Sequence, residues 1–177
     1  MKSKRKNRDS EWPARPLRYA LGAGEFQEAE KLLREDPSLL DANVYGSESA
    51  LHFWAVENRP DVVEWLLERG ADPNRMSAGT GCALADSAFL GLTDMCRLLI
   101  GAGADLTCRG VCGETLLHMA SRVGRLELIE LLIDSGVDVN ATDGGEETPW
   151  DYALPRKAVE IRALLEKHGG ESGVGWE

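Results

Sequence analysis

The chain has 177 residues, 43% of them hydrophobic and 28% charged, with a formal net charge of -10, a size that suits one soluble globular domain. Its first eight residues hold five bases and no acid, so the remainder carries 15 bases against 30 acids. A body that acidic repels phosphate backbones and argues against general nucleic-acid binding. No stretch approaches the roughly 20 apolar residues that span a bilayer.

Taken in chain order, residues 1–13 read as a disordered basic arm, with Lys2, Lys4, Arg5, Lys6 and Arg8 at its start. Pro13, Arg15, Pro16 and Arg18 interrupt any apolar run that could serve as a leader, so the expected location is the cytoplasm. A first unit spans about 14–43. Leu17, Ala20 and Leu21 suit the inner side of one helix, Gly24 ends it, and Phe26, Ala29, Leu32 and Leu33 mark a second that Pro37 stops. Its register to the next unit is one residue longer than the later spacing, the mark of an N-terminal cap.

Units at about 44–76, 77–109 and 110–142 follow. In the first of these Ser49 is an N-cap, Asn58 stands where its neighbours have glycine, and Pro60 opens the second helix. Val62, Val63, Leu66 and Leu67 form its apolar stripe. The next unit departs from the pattern: Cys82 is a poor cap and Ala85 stands where its neighbours have histidine. Thr115, Gly124 and the stripe Leu128, Ile129, Leu131 and Leu132 restore the design. In the last unit, about 143–170, Thr148 caps a helix begun by Pro149 and cut short by Pro155, and Trp150 fills an apolar position. A final helix runs from Ala158 to His168. Residues 171–177, with Trp176, read as a flexible tail.

Two markers hold these units in step at a 33-residue period. Ser49-Ala50-Leu51-His52 returns as Cys82-Ala83-Leu84-Ala85, Thr115-Leu116-Leu117-His118 and Thr148-Pro149-Trp150-Asp151. Gly70-Ala71-Asp72-Pro73-Asn74 returns as Gly103-Ala104-Asp105-Leu106-Thr107 and Gly136-Val137-Asp138-Val139-Asn140. Such a period means stacked units that touch only their neighbours. The box and turn at this spacing resemble the ankyrin repeat, over about residues 14–170. The fold implied is an all-α solenoid of about five helix-turn-helix units with inter-repeat hairpin loops, ten helices in five antiparallel pairs.

Chemistry finds little support in these residues. His52 and His118 sit at the box position, where the resemblance implies a structural hydrogen bond near the helix start. Asp72, Asp105 and Asp138 recur once per unit as turn formers. The glycines of Gly79-Thr80-Gly81 and Gly101-Ala102-Gly103 lack the context of a phosphate loop. Cys82, Cys96, Cys108 and Cys112 are expected to be free thiols, a disulfide or metal pair between Cys108 and Cys112 being the alternative. No cofactor, metal or catalytic site is expected, and an enzyme on a repeat scaffold would need clustered titratable groups in a deep pocket.

The resemblance implies instead a monomeric module that binds a protein partner through a concave face of hairpin tips and first-helix ends, as adaptor, inhibitor or regulator. The repeat frame places Tyr45, Glu48, Met76, Ala78, Arg109, Val111 and Glu114 on one rim. Val56 with Glu57, Phe89 with Leu90, and Arg122 with Val123 stand at the first-helix ends. Phe89 and Leu90 are large and apolar at positions expected to face solvent, which marks an interaction site; the competing reading packs them beneath a hairpin. A structural or designed scaffold without a natural partner is the alternative function, though Ala85 and Asp151 depart from an idealised consensus.

Overall fold

Helix formation here follows the caps and stripes of each unit. The structure, a computed structural model, describes residues 12–77 and 81–174. In it α1 (Arg15–Ala23) and α2 (Phe26–Glu35) are followed by a 3-10 turn at Pro37–Leu40 and a short antiparallel hairpin of β1 (Asn43–Tyr45) and β2 (Glu48–Ser49). Then come α3 (Ala50–Val56), α4 (Pro60–Leu67), α5 (Ala83–Phe89), α6 (Thr93–Gly101), α7 (Leu116–Val123), α8 (Leu126–Asp134) and α9 (Ala158–Lys167). Consecutive helices pair, α3 packs on α5 and α5 on α7, and the second helices run α4, α6, α8, α9 in contact order.

The apolar stripes become the inter-unit core. Leu51, Leu84 and Leu117 are buried at one repeat position, and Leu66, Leu99, Leu132 and Leu165 at another. Helix pairs reverse through Gly24, Asn58, Gly91 and Gly124, all in the left-handed region, with Asn58 at φ 54°. At Gly91 the constraint is double. Its φ is +70°, and a Cβ there would lie 2.7 Å from Cγ1 of Val123, a side chain of the next unit. Gly124 meets Leu154 in the same way.

The GAD turns close by side-chain bonds. The amides of Asn74, Thr107 and Asn140 donate to the carboxylates of Asp72, Asp105 and Asp138 two residues before them. Two of these turns are also clamped to the next unit. Asn74 donates to the Gly103 carbonyl and accepts from the Asp105 amide, and Asn140 does the same with Gly169 and Glu171. Thr107 bonds only to Asp105 among the described residues, and a cleft of about 290 Å³ opens beside it, lined by Leu106, Arg109, Val137 and Asp138.

Several expectations need correction. Nine α-helices form among the described residues, because 148–154 makes turns and no helix. The carboxylate of Asp151 takes the Thr148 amide and hydroxyl locally and binds Ser172 and Gly173. Residues 171–174 are therefore fastened along the last unit, where a flexible tail was expected; Trp176 lies outside the described residues. Trp150 is only half-buried, its indole N–H donating to Glu166 and Arg162 stacked on its ring.

Cys82 and Cys108 form a disulfide, while Cys96 is buried and Cys112 exposed as thiols. Pairing therefore runs between adjacent hairpins: Gly81 lies against the Arg109 backbone, which brings their neighbours Cys82 and Cys108 together. The Cys82 sulfur also accepts from the Ala85 amide, capping α5 after all. Burial pushes the Cys96 thiol up to about 12, so it stays protonated at neutral pH.

His118 behaves as the resemblance implies. Its Nδ1 accepts from the Thr115 amide and faces the Thr115 hydroxyl, and its Nε2–H donates to the Glu147 carbonyl of the following loop. A neutral ring satisfies this network, whereas a proton on Nδ1 would oppose the Thr115 N–H. Burial holds its pKa below the ordinary value despite the bond to Glu147. His52 differs: it pairs through Nε2 with Asp86 of the next unit at 2.7 Å, and its Nδ1 has no partner among the described residues.

Leu132→Ala removes a fully buried side chain between units and is expected to cost about 2–5 kcal/mol, read as a lower urea midpoint. His118, with a depressed folded pKa, contributes stability that is complete above its unfolded value of about 6.5 and is lost as pH falls below it. The urea midpoint of the wild type is expected to decline as pH drops from 7 to 5, and less steeply in His118→Asn. Asp151 adds a separate acid loss. Burial works upward on its carboxyl, but the bonds from Ser172, Thr148 and Gly173 outweigh it and leave it lowered. That contribution is present above pH about 4 and lost below it in both proteins.

Candidate protein-interaction face

The hairpins and the C-terminal ends of α3, α5 and α7 carry the predicted site. Tyr45 ends β1 and is 51% exposed; Met76 is 65% exposed, Phe89 52% and Leu90 45%. The last turn of α5 thus presents two large apolar side chains to solvent, and they do not pack under a hairpin. Glu57 is exposed, while Glu48 and Val56 are half-buried. Ala78 and the side chain of Val111 lie outside the described residues.

The remaining predicted residues are less free than the sequence suggests. Glu114 is not an exposed rim acid. It is 7% exposed, because its carboxylate turns inward to take both guanidinium nitrogens of Arg122, at 2.6 and 3.2 Å. That pair holds the Arg122 guanidinium 4.8 Å from the Phe89 ring centre, a cation–π contact across the boundary between units. Val123 is half-buried over the Gly91 turn. Arg109 is exposed, but its guanidinium donates to the carbonyls of Gly113 and Thr142 and so ties two loops together.

Glu114, Arg122 and Phe89 therefore form one cluster. Tyr152 completes it, 6.0 Å from the Arg122 guanidinium and edge-on to His118. Burial and the Asp143 carboxylate hold the Tyr152 phenol well above its ordinary pKa, so it stays protonated and donates to Asp143 at 2.8 Å.

A second cluster sits at the other end of the same face and was missed from sequence. Tyr19, Phe53 and Tyr45 surround the Arg18 guanidinium, at 5.1, 5.1 and 5.8 Å, and Trp12 lies 5.2 Å from Tyr45. Trp12 falls in the segment expected to be a disordered arm, yet its ring packs here. A signal existed. With the one-residue offset of the first unit, Tyr19 shares its repeat position with Phe53 and Tyr152, and Arg18 takes the box position of His52 and His118.

Among the described residues, no group of three or more His, Cys, Asp or Glu side chains comes together to hold a metal, and no helix is long and apolar enough to cross a membrane.

Comparison with known proteins agrees with this geometry. Residues 84–173 match the family model described as ankyrin repeats in three copies, and residues 47–78 match that of a single ankyrin repeat. The rat Ankyrin repeat and SAM domain-containing protein 6 is 29% identical over 86% of the chain, and the zebrafish Ankyrin repeat and SOCS box protein 11 is 35% identical over 68%. The pig NF-kappa-B inhibitor alpha is 31% identical over 54%. The chain spans 18%, 40% and 32% of the lengths of these three relatives. The two family models settle the classification: the chain belongs to the ankyrin repeat family.

Proposed function

We propose that this chain is a non-catalytic binding module that engages a protein partner through the face of hairpin tips and first-helix ends. The observation that carries the reading is the exposure of Tyr45, Met76, Phe89 and Leu90, at positions the repeat frame assigns to that face. Water contact with such side chains is unfavourable, and apolar groups clustered on a surface are typical of interaction sites. Arg122 beside Phe89 adds the aromatic–arginine pairing common at binding hot spots. The ankyrin repeat is typically a protein-binding module, which supports the same reading. One relative is named as an inhibitor of NF-kappa-B. By analogy this chain acts as an adaptor, inhibitor or regulator, with residues 14–170 as the binding unit, as a monomer in the cytoplasm.

The side chains of Phe89 and Leu90 end outside the core, so their removal tests binding apart from folding. Phe89→Ala with Leu90→Ala is expected to weaken a partner captured from the source cell by roughly a thousandfold, taking about 2 kcal/mol for each anchor. Helicity and melting should barely change. A stable double mutant that still holds the same partner with unchanged affinity removes the site from this end of α5.

A further inference from the structure

Guanidinium–aromatic stacking recurs throughout this molecule, and in most cases the cation also has an acid. Arg69 lies 3.7 Å over Trp65 and bonds Glu30 at 2.7 Å. Arg122 lies over Phe89 and is gripped by Glu114. Arg59 lies 5.6 Å over Trp54 and bonds Asp61 with both nitrogens. In each case the charge is balanced within the fold.

Two cations depart from this: Arg162, 3.9 Å over Trp150, donates to that residue's carbonyl, and Arg18 sits among rings alone. Three rings, Tyr19, Tyr45 and Phe53, flank its guanidinium, and among the described residues no carboxylate pairs with it. Arg15 donates to the Tyr19 hydroxyl at 3.1 Å, its guanidinium 5.4 Å from that ring, and so fixes one wall of the cluster. The bond from Arg15, then its charge, then the bond from Arg18 pull the Tyr19 phenol below its ordinary pKa. This spot lies on a chain whose residues after the eighth carry twice as many acids as bases.

We infer that the Arg18 cluster is a subsite for a carboxylate side chain, presented by an acidic segment of the protein partner that lies along the same face. The inference rests on the binding face proposed above. A guanidinium presents planar, paired donors that match a carboxylate, and rings on its flanks hold it in place so that little freedom is lost on binding. Tyr19 and Tyr45, each about half exposed, offer apolar contact for the residues beside that acid.

Random twelve-residue peptides displayed on phage and selected on the intact chain supply the test. The selected peptides are expected to carry Asp or Glu at a fixed place next to an aromatic or aliphatic residue. A synthetic peptide of that sequence should bind Arg18→Gln about tenfold or more weakly, while its Glu→Gln version binds wild type and Arg18→Gln alike. Arg18→Lys, which keeps the charge, should keep the preference for Glu over Gln. Absence of any binder, absence of a fixed acid, or an equal loss for the Glu and Gln peptides on Arg18→Gln overturns the inference. Peptides lost with the Phe89 and Leu90 double mutant but indifferent to Arg18 overturn it and leave the binding face standing. Peptides indifferent to all these changes overturn both.

Discussion

The structure depends on a chain reversal that leaves no room for a side chain. At Gly91 and Gly124 the backbone enters the left-handed region, and the space a Cβ would fill belongs to Val123 or Leu154 of the following unit. The turn within a unit and the contact between units are thus one constraint. At these two reversals it ties the turn of one unit to the seating of the next. Asn58 meets the backbone part of that requirement with a side chain that tolerates positive φ. From this follow the superposition of Leu66, Leu99, Leu132 and Leu165 into one column and of Leu51, Leu84 and Leu117 into another.

That column was visible in the sequence because burial at a fixed period writes itself into residue type. The cap residues Ser49 and Thr115, the reversal residues and the turn acids were visible for a related reason: each satisfies a local backbone need within three residues. What escaped were interactions that run between units. Asp151 looked like a degraded box histidine, and nothing in its own neighbourhood says that its carboxylate binds Gly173. Cys108 lies closer in sequence to Cys112 than to Cys82, and only the stacking of hairpins reverses that order in space. Glu114 looked like a loop acid until α7 brought Arg122 alongside.

The face itself shows the same division. Exposure of Phe89 and Leu90 followed from the repeat frame, since their positions lie at the end of a first helix where no neighbour stacks. The surroundings of Phe89 did not. Its ring is roofed by an arginine one repeat later, which is fixed by a buried acid eight residues before it. Half-exposed rings braced by guanidiniums keep large apolar area at the surface without letting it collapse inward. A rigid surface of this kind loses little entropy when a partner covers it.

The asparagine clamps divide the stack unevenly. Asn74 bridges the second and third units and Asn140 the fourth and the segment beyond, but Thr107 is too short to span the step between them. The third and fourth units keep their helix contacts and meet without that clamp, beside a cleft. Other contacts carry this joint: α5 packs on α7 and α6 on α8, Arg97 pairs with Glu127, and Arg109 reaches the Thr142 carbonyl. Phe89 and Arg122 stand on opposite sides of the joint. The distance between these two anchors is thus set by helix packing and by the guanidinium stacked on the ring, and the loss of one asparagine from a turn leaves it in place.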